Sequence, residues 1–126
     1  MALELTDLQL ALMRVLWDRG EASVSDVHAA VARERSLALT TVATILTRLE
    51  RSGHITRRQA GRHYLYRPLV SEEEVRRSMV SGLAERLFGG DVTALVSHLL
   101  SEGEINTGDL ERVRRILEQK QRNTEA

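Results

Sequence analysis

The chain has 126 residues, 42% of them hydrophobic, and a formal net charge of zero. That length suits one ordinary domain or two small ones sharing a core, and a single proline with 3% aromatics points to a mainly helical protein. The lack of cysteine excludes a disulfide framework and a thiolate metal site. No apolar run approaches the roughly 20 residues of a membrane span and no signal peptide opens the chain, so a cytoplasmic protein with no membrane partner is expected.

Zero net charge conceals an asymmetry. Residues 33–67 hold eight arginines against Glu34 and Glu50, a local charge of +6, whereas residues 68–126 hold eight basic and eleven acidic side chains, a local charge of −3. Polyanions are bound by a local basic surface rather than by a basic total. Only the first half has one.

In chain order, Leu5-Thr6-Asp7-Leu8-Gln9 opens a first helix. Thr6 and Gln9 have capping-box spacing, and Leu5 with Leu10 forms the hydrophobic staple. Leu8, Leu12, Val15 and Leu16 line one face, Met13 and Trp17 lie beside them, Trp17 reads as core, and Gly20 ends the helix. Glu21-Ala22-Ser23-Val24 is a short extended link, at most a minimal strand. Ser25 is expected to cap a second helix with Asp26 in its first turn and with Val27, Ala30 and Val31 buried. His28 has no nearby partner in sequence and reads as a surface or boundary residue.

The third helix, from Leu39 to Gly53, organises the rest. Val42, Ile45, Leu46 and Leu49 fall at i, i+3, i+4, i+7 and make one buried stripe. The opposite face carries Thr41, Thr44, Thr47, Arg48 and Arg51. Thr40 is the expected N-cap and Gly53 the left-handed residue that ends the helix. A face of small hydroxyls and arginines, free of acids until Glu50, suits a DNA major groove, where Arg bonds guanine edges or phosphates and Thr bonds phosphates or touches thymine methyls. Taken alone it reads as an ordinary solvated face, and the rest of the chain shifts the balance. Two short helices joined by a brief turn, the second with this polar cationic face, make a helix-turn-helix.

After Gly53 the hydrophobic period changes to two. His54–Arg58 and Arg62–Arg67 both alternate, with Gln59-Ala60-Gly61 expected as the hairpin turn. Three helices followed by a hairpin describe a winged helix. Arg57, Arg58 and Arg62 gather toward the expected tip, Arg58 and Arg62 as phosphate contacts, and Tyr64 and Tyr66 are expected to pack the wing against the helices.

Pro68 stops the wing. Ser71 and Glu74 form a second capping box, opening a helix with Val75, Met79, Leu83 and Leu87 on one stripe. Asp91 caps a helix with Leu95, Val96, Leu99 and Leu100 apolar. Asn106 caps the last, with Leu110, Val113, Ile116 and Leu117 repeating, and the tail from about Arg122 reads as frayed. Roughly 57 residues are too few for a good core of their own, so burial against a second copy in a two-fold dimer is expected. Val75, Met79, Leu83, Leu87, Leu95, Leu99, Leu110, Val113 and Leu117 are the candidate dimerisation residues. The domains are therefore expected at 1–69, a winged-helix DNA-binding domain, and 70–126, a helical dimerisation domain.

The chain resembles the BlaI/MecI/CopY family of penicillinase-type transcriptional repressors. The resemblance rests on Leu5-Thr-Asp, Val15-Leu-Trp17, Thr40-Thr-Val-Ala-Thr44 with Leu46-Thr-Arg-Leu49, Gly61-Arg-His-Tyr-Leu-Tyr66 with Pro68, and Leu87-Phe-Gly-Gly90, in order over nearly the whole chain. It implies a dimeric winged-helix repressor that binds a dyad operator and controls β-lactam resistance or copper homeostasis genes, so a resistance or stress-response operon. Thr40, Thr41, Thr44, Thr47, Arg48, Arg51, Arg58 and Arg62 would then meet duplex DNA. The chain departs from the family twice. It lacks the C-terminal cysteine pairs of copper-responsive members. It also has His98-Leu99 where penicillinase-type members are cut at an Asn-Phe bond by a regulatory protease, which leaves the inducing signal open.

Two other readings compete with a repressor. Some winged helices are protein-interaction modules, and salt-dependent binding to duplex DNA separates these from DNA binders. An enzyme or metal sensor built on His28, His54, His63 and His98 lacks both metal-ligand spacing and a catalytic constellation, so no cofactor, metal or catalytic residue is expected.

Overall fold

A computed structural model describes residues 3–125. The order is α1 (Asp7–Arg19), α2 (Val24–Val31), α3 (Leu39–Arg51), β1 (Ile55–Ala60), β2 (His63–Pro68), α4 (Glu72–Phe88), α5 (Val92–Ser101) and α6 (Thr107–Glu125). It is mainly helical, with a helix-turn-helix and a two-stranded wing, as the periodicities predicted.

Local capping decides where the helices begin. Thr6 accepts a hydrogen bond from the Gln9 amide at 3.1 Å and its own amide donates to Gln9 Oε1 at 2.9 Å, the reciprocal capping box. The second helix begins two residues earlier than expected. Ser23, not Ser25, is its cap, because Ser23 and Asp26 satisfy each other's amides at 3.1 Å, whereas Ser25 has no acid three residues on. Thr40 is likewise not a cap. Ala38 holds the N-cap position of α3 with no side-chain bond, and Thr40 lies within the first turn. At the other end Gly53, with φ 82°, and His54 donate their amides to Glu50 and Leu49 carbonyls, a Schellman ending.

β1 and β2 pair antiparallel from Ile55–Pro68 to Ala60–His63. The turn is therefore Gly61-Arg62 alone, with Gly61 at φ 64°. Gln59 and Ala60 are strand, and the expected three-residue turn was displaced toward the N-terminus. The link before α2 adds a single isolated β-bridge rather than a strand, Ala22 exchanging two backbone hydrogen bonds with Tyr66 at 3.0 and 2.8 Å. His28 is not partnerless, since its Nε2 lies 2.7 Å from the Leu37 carbonyl oxygen and ties α2 to the connection before α3.

One core serves these elements. Leu12, Met13, Leu16, Val27, Val42, Leu46, Leu49 and Ile55 are fully buried, and Tyr66 joins them from the wing. The first part of α4 also belongs here. Val75 is 1% exposed within this core, Met79 packs against it, Trp17 Nε1 donates to the Val70 carbonyl at 2.8 Å, and Ser78 Oγ accepts from the Leu3 amide at 3.2 Å. Trp17 itself is only partly buried.

By packing, the chain separates into two compact units between Gly82 and Leu83, thirteen residues beyond the expected domain boundary. The apolar stripe of α4 is what moves it, because its first two members are used by the winged helix. The second unit holds the end of α4 with α5 and α6. Asp91 caps α5 through the Ala94 amide at 3.1 Å, and Asn106 and Asp109 cap α6 reciprocally at 2.8 and 3.2 Å. α6 continues to Glu125, so the expected fraying from Arg122 is not seen.

Candidate nucleic-acid interface

α3 is fixed by one face and free on the other. Val42, Leu46 and Leu49 are fully buried and Ile45 is packed beside them. That places Thr40, Thr41, Thr44, Thr47, Arg48 and Arg51 on the exposed side. Arg48 and Arg51 form no ion pair among the described residues, so both guanidinium groups are available to a ligand. The hydroxyls are less free. Thr44 Oγ1 donates to the Thr40 carbonyl and Thr47 Oγ1 to the Ala43 carbonyl, each at 2.9 Å. With those donors turned back into the helix, the two threonines present methyl groups and oxygen lone pairs outward.

The wing arginines are arranged differently from the sequence expectation. Register puts Arg58 opposite Leu65 and Arg57 opposite Tyr66, in mid-strand, and only Arg62 lies in the turn. Arg57 stacks over the Tyr64 ring at 4.1 Å from its centroid, and its Nε is 3.2 Å from Glu50 of α3. A hydrogen bond with Tyr66, helped by the nearby Glu50 carboxylate, raises its already high pKa. Arg57 therefore bridges the wing to α3. Tyr66 packs against the helices as expected, but Tyr64 is 44% exposed and serves as the platform for this guanidinium.

Arg58 is held on the other face of the strand. Its Nε and Nη2 donate to the two carboxylate oxygens of Glu21, each at 2.7 Å, a bidentate pair. That hydrogen bonding, with Arg67 adding to the field, pulls the Glu21 carboxyl below its usual range and pushes Arg58 up. Glu21 and Glu50 are the two functional neighbours that sequence reasoning passed over. No local spacing announces them, because Glu21 lies 37 positions from its partner.

The remaining candidates fall in two groups. Val75 is buried and Met79 partly buried against the winged-helix core, so neither stands free on the surface. Leu83, Leu87, Leu110, Val113 and Leu117 are exposed, Leu87 at 67%, while Leu95 and Leu99 are half-buried. His98 is exposed on α5 with its ring 5.9 Å from that of Phe88. Among the described residues no three His, Cys, Asp or Glu side chains gather as a metal site, and no helix is long and apolar enough to cross a membrane.

A helix-turn-helix followed by a short wing is the architecture shared with known proteins. A profile of the penicillinase repressor family matches residues 5–119. The transcriptional regulator BlaI of Mycobacterium tuberculosis is 33% identical over 115 residues, spanning 90% of this chain and 82% of that protein. The penicillinase repressor of Staphylococcus aureus is 23% identical over 114 residues, spanning 90% of each chain. Among solved structures, the DNA-binding domain of the repressor BlaI superposes with a TM-score of 0.53 at 23% identity, covering 59% of this chain and 90% of that one. The chain belongs to the penicillinase repressor family, whose members are DNA-binding transcriptional repressors and not enzymes.

Proposed function

We propose that this protein is a homodimeric cytoplasmic repressor that binds a dyad operator and controls a resistance or stress-response operon. In this reading the exposed face of α3, with Thr40, Thr41, Thr44, Thr47, Arg48 and Arg51, enters the major groove, where base edges are read. Arg62 at the wing turn, with Arg58 behind it, approaches backbone phosphates. The observation that carries the reading is that α3 buries Val42, Leu46 and Leu49 and leaves two unpaired arginines among threonines on the opposite face.

The homodimer is supported by the second unit. Leu83, Leu87, Leu110, Val113 and Leu117 stay exposed along their helices, and that much exposed apolar side chain on three short helices supports an interaction surface. Two winged helices on one dimer would gain affinity for a dyad through effective concentration. Release of DNA would follow from separating the two halves of the chain. α5, bounded by positive-φ glycines at 89, 90 and 103, is the candidate for cutting by a regulatory protease near His98 and Leu99. Micromolar copper or zinc is expected to leave DNA affinity unchanged.

The test uses a duplex from the promoter adjoining the protein's own gene and a scrambled duplex of equal length. Arg48→Ala should weaken promoter binding by roughly 1–3 kcal/mol and reduce discrimination between the two. Unchanged promoter affinity in both Arg48→Ala and Thr44→Ala would remove α3 from the recognition role.

A further inference from the structure

We propose that Glu21 is a positioning residue for DNA binding, masking Arg58 and so lowering the affinity of the wing for duplex DNA of any sequence. The inference rests on the reading that the wing faces phosphates. One edge of the Arg58 guanidinium is engaged by one carboxylate, with Nε and Nη2 each 2.7 Å from a different Glu21 oxygen. The acid is also delivered by a fixed backbone. Glu21 directly precedes Ala22, which is bonded twice to Tyr66 of β2, so little freedom is lost in forming the pair.

Holding the wing in place does not require this pair. The Ala22–Tyr66 hydrogen bonds and the burial of Ile55 at 1% and Tyr66 at 4% already anchor both strands. What the pair changes is charge. Arg58 and Arg67 both act on Glu21, and a carboxylate stabilised this way stays ionised at neutral pH. A phosphate reaching Arg58 meets a guanidinium whose charge that carboxylate already offsets, so the contact neutralises less charge and releases fewer counterions overall. Arg62, with no ion pair among the described residues, is left as the free cation of the wing.

The experiment measures binding of the full-length protein to a fixed random-sequence duplex between about 50 and 200 mM salt. Glu21→Gln keeps the side-chain shape and removes the charge. It should bind more tightly and steepen the log–log salt slope by about 0.9, the value of one phosphate contact, so that its advantage grows about 3.5-fold over that fourfold fall in salt. Arg58→Ala alone should change the slope by much less than one contact, and the double variant should behave like Arg58→Ala. A gain from Glu21→Gln that persists without Arg58 would show a general charge effect and overturn the masking. So would an unchanged or weakened Glu21→Gln protein of normal Tm. Arg62→Ala separates the two levels of the argument. If it lowers the slope while Glu21→Gln does nothing, the wing binds DNA and only the masking is wrong. If neither substitution moves the slope, the wing does not face DNA and both readings fall.

Discussion

In the unit that ends at Gly82, Leu12, Met13, Leu16, Val42, Leu46 and Leu49 have no measurable exposure, whereas α5 and α6 of the following unit contain no buried residue at all. Both regions carry the same kind of apolar repeat. Leu110, Val113 and Leu117 stand on α6 at the i, i+3, i+7 spacing that Val42, Ile45 and Leu49 have on α3. The difference lies in what surrounds the stripe. α3 is enclosed by α1, α2 and the first wing strand, while the second unit has too few elements to enclose three helices. Helical periodicity therefore states that a face must be covered, and chain topology decides whether the same chain can cover it. In the proposed dimer the second chain completes the core.

Separating the two copies should have the largest effect. Leu83→Asp or Val113→Asp places a charge on an exposed apolar face and should yield monomers by sedimentation. Because each monomer holds one half-site, promoter affinity should fall by about 10²–10⁴-fold, the usual range for lost bivalency. A protease site inserted between Thr93 and Ser101 and then cut should act similarly. If the unmodified protein sediments as a monomer at micromolar concentration, or if the cut protein still binds tightly, the contrast between the units has another cause.

The next effect is on folding. Leu46→Ala removes a fully buried side chain and should destabilise the winged helix by about 2–5 kcal/mol. Ile116→Ala, at a position 65% exposed, should change stability by no more than about 0.5 kcal/mol at dilutions where the chain is monomeric. Urea titration of both variants checks the pair. A fragment ending at residue 82 should also outlast one ending at 69, because the shorter one lacks Val75 and the Val70 carbonyl that receives the Trp17 indole. Equal midpoints for the two fragments would mean that α4 adds nothing to this core.

Legibility in the sequence followed distance along the chain. The capping boxes at Thr6–Gln9 and Ser71–Glu74 were readable because both partners lie within one turn, and the change of period at Gly53 announced the wing. Errors arose where two local solutions competed. Ser23 and Ser25 both resemble caps, and only Ser23 has an acid at the reciprocal spacing. Gly61 was correctly placed at positive φ, but the pairing of Ala60 with His63 shortened the turn to Gly61-Arg62. Non-local partners were not readable. The apolar period of α4 was evident, yet nothing in it told that Val75 enters the winged-helix core while Leu83 stays exposed. The exposed face of α3 was foreseen residue by residue, whereas the clamps on Arg57 and Arg58 depend on Glu50 and Glu21 being brought to the wing by the fold.

The smallest expected effect is a pH dependence confined to the first unit. His54, directly after the Gly53 that closes α3, is 6% exposed, and neither ring nitrogen meets a protein hydrogen-bond partner among the described residues. Burial therefore lowers its pKa below the usual imidazole range. The folded state then holds fewer protons on this ring than the unfolded chain does, and stability rises with pH wherever that difference exists. The window lies between the lowered value in the fold and the unfolded value of about 6.5, so Tm should fall as pH is taken from 7 toward 5. Glu21 and Asp26 have carboxyl pKa values below their usual ones, Glu21 chiefly through its bond from Arg58 and Asp26 chiefly through the Ser23 amide. Their contribution is present above the unfolded values near 4 and is lost only below them, outside this window. His54→Leu keeps an apolar group of similar size at the site and removes the proton, so it should flatten the change in Tm between pH 7 and 5 while leaving the exposed α3 face intact. Thermal melts of the two proteins at matched salt decide the matter, and parallel curves across that range would show that His54 does not titrate on unfolding.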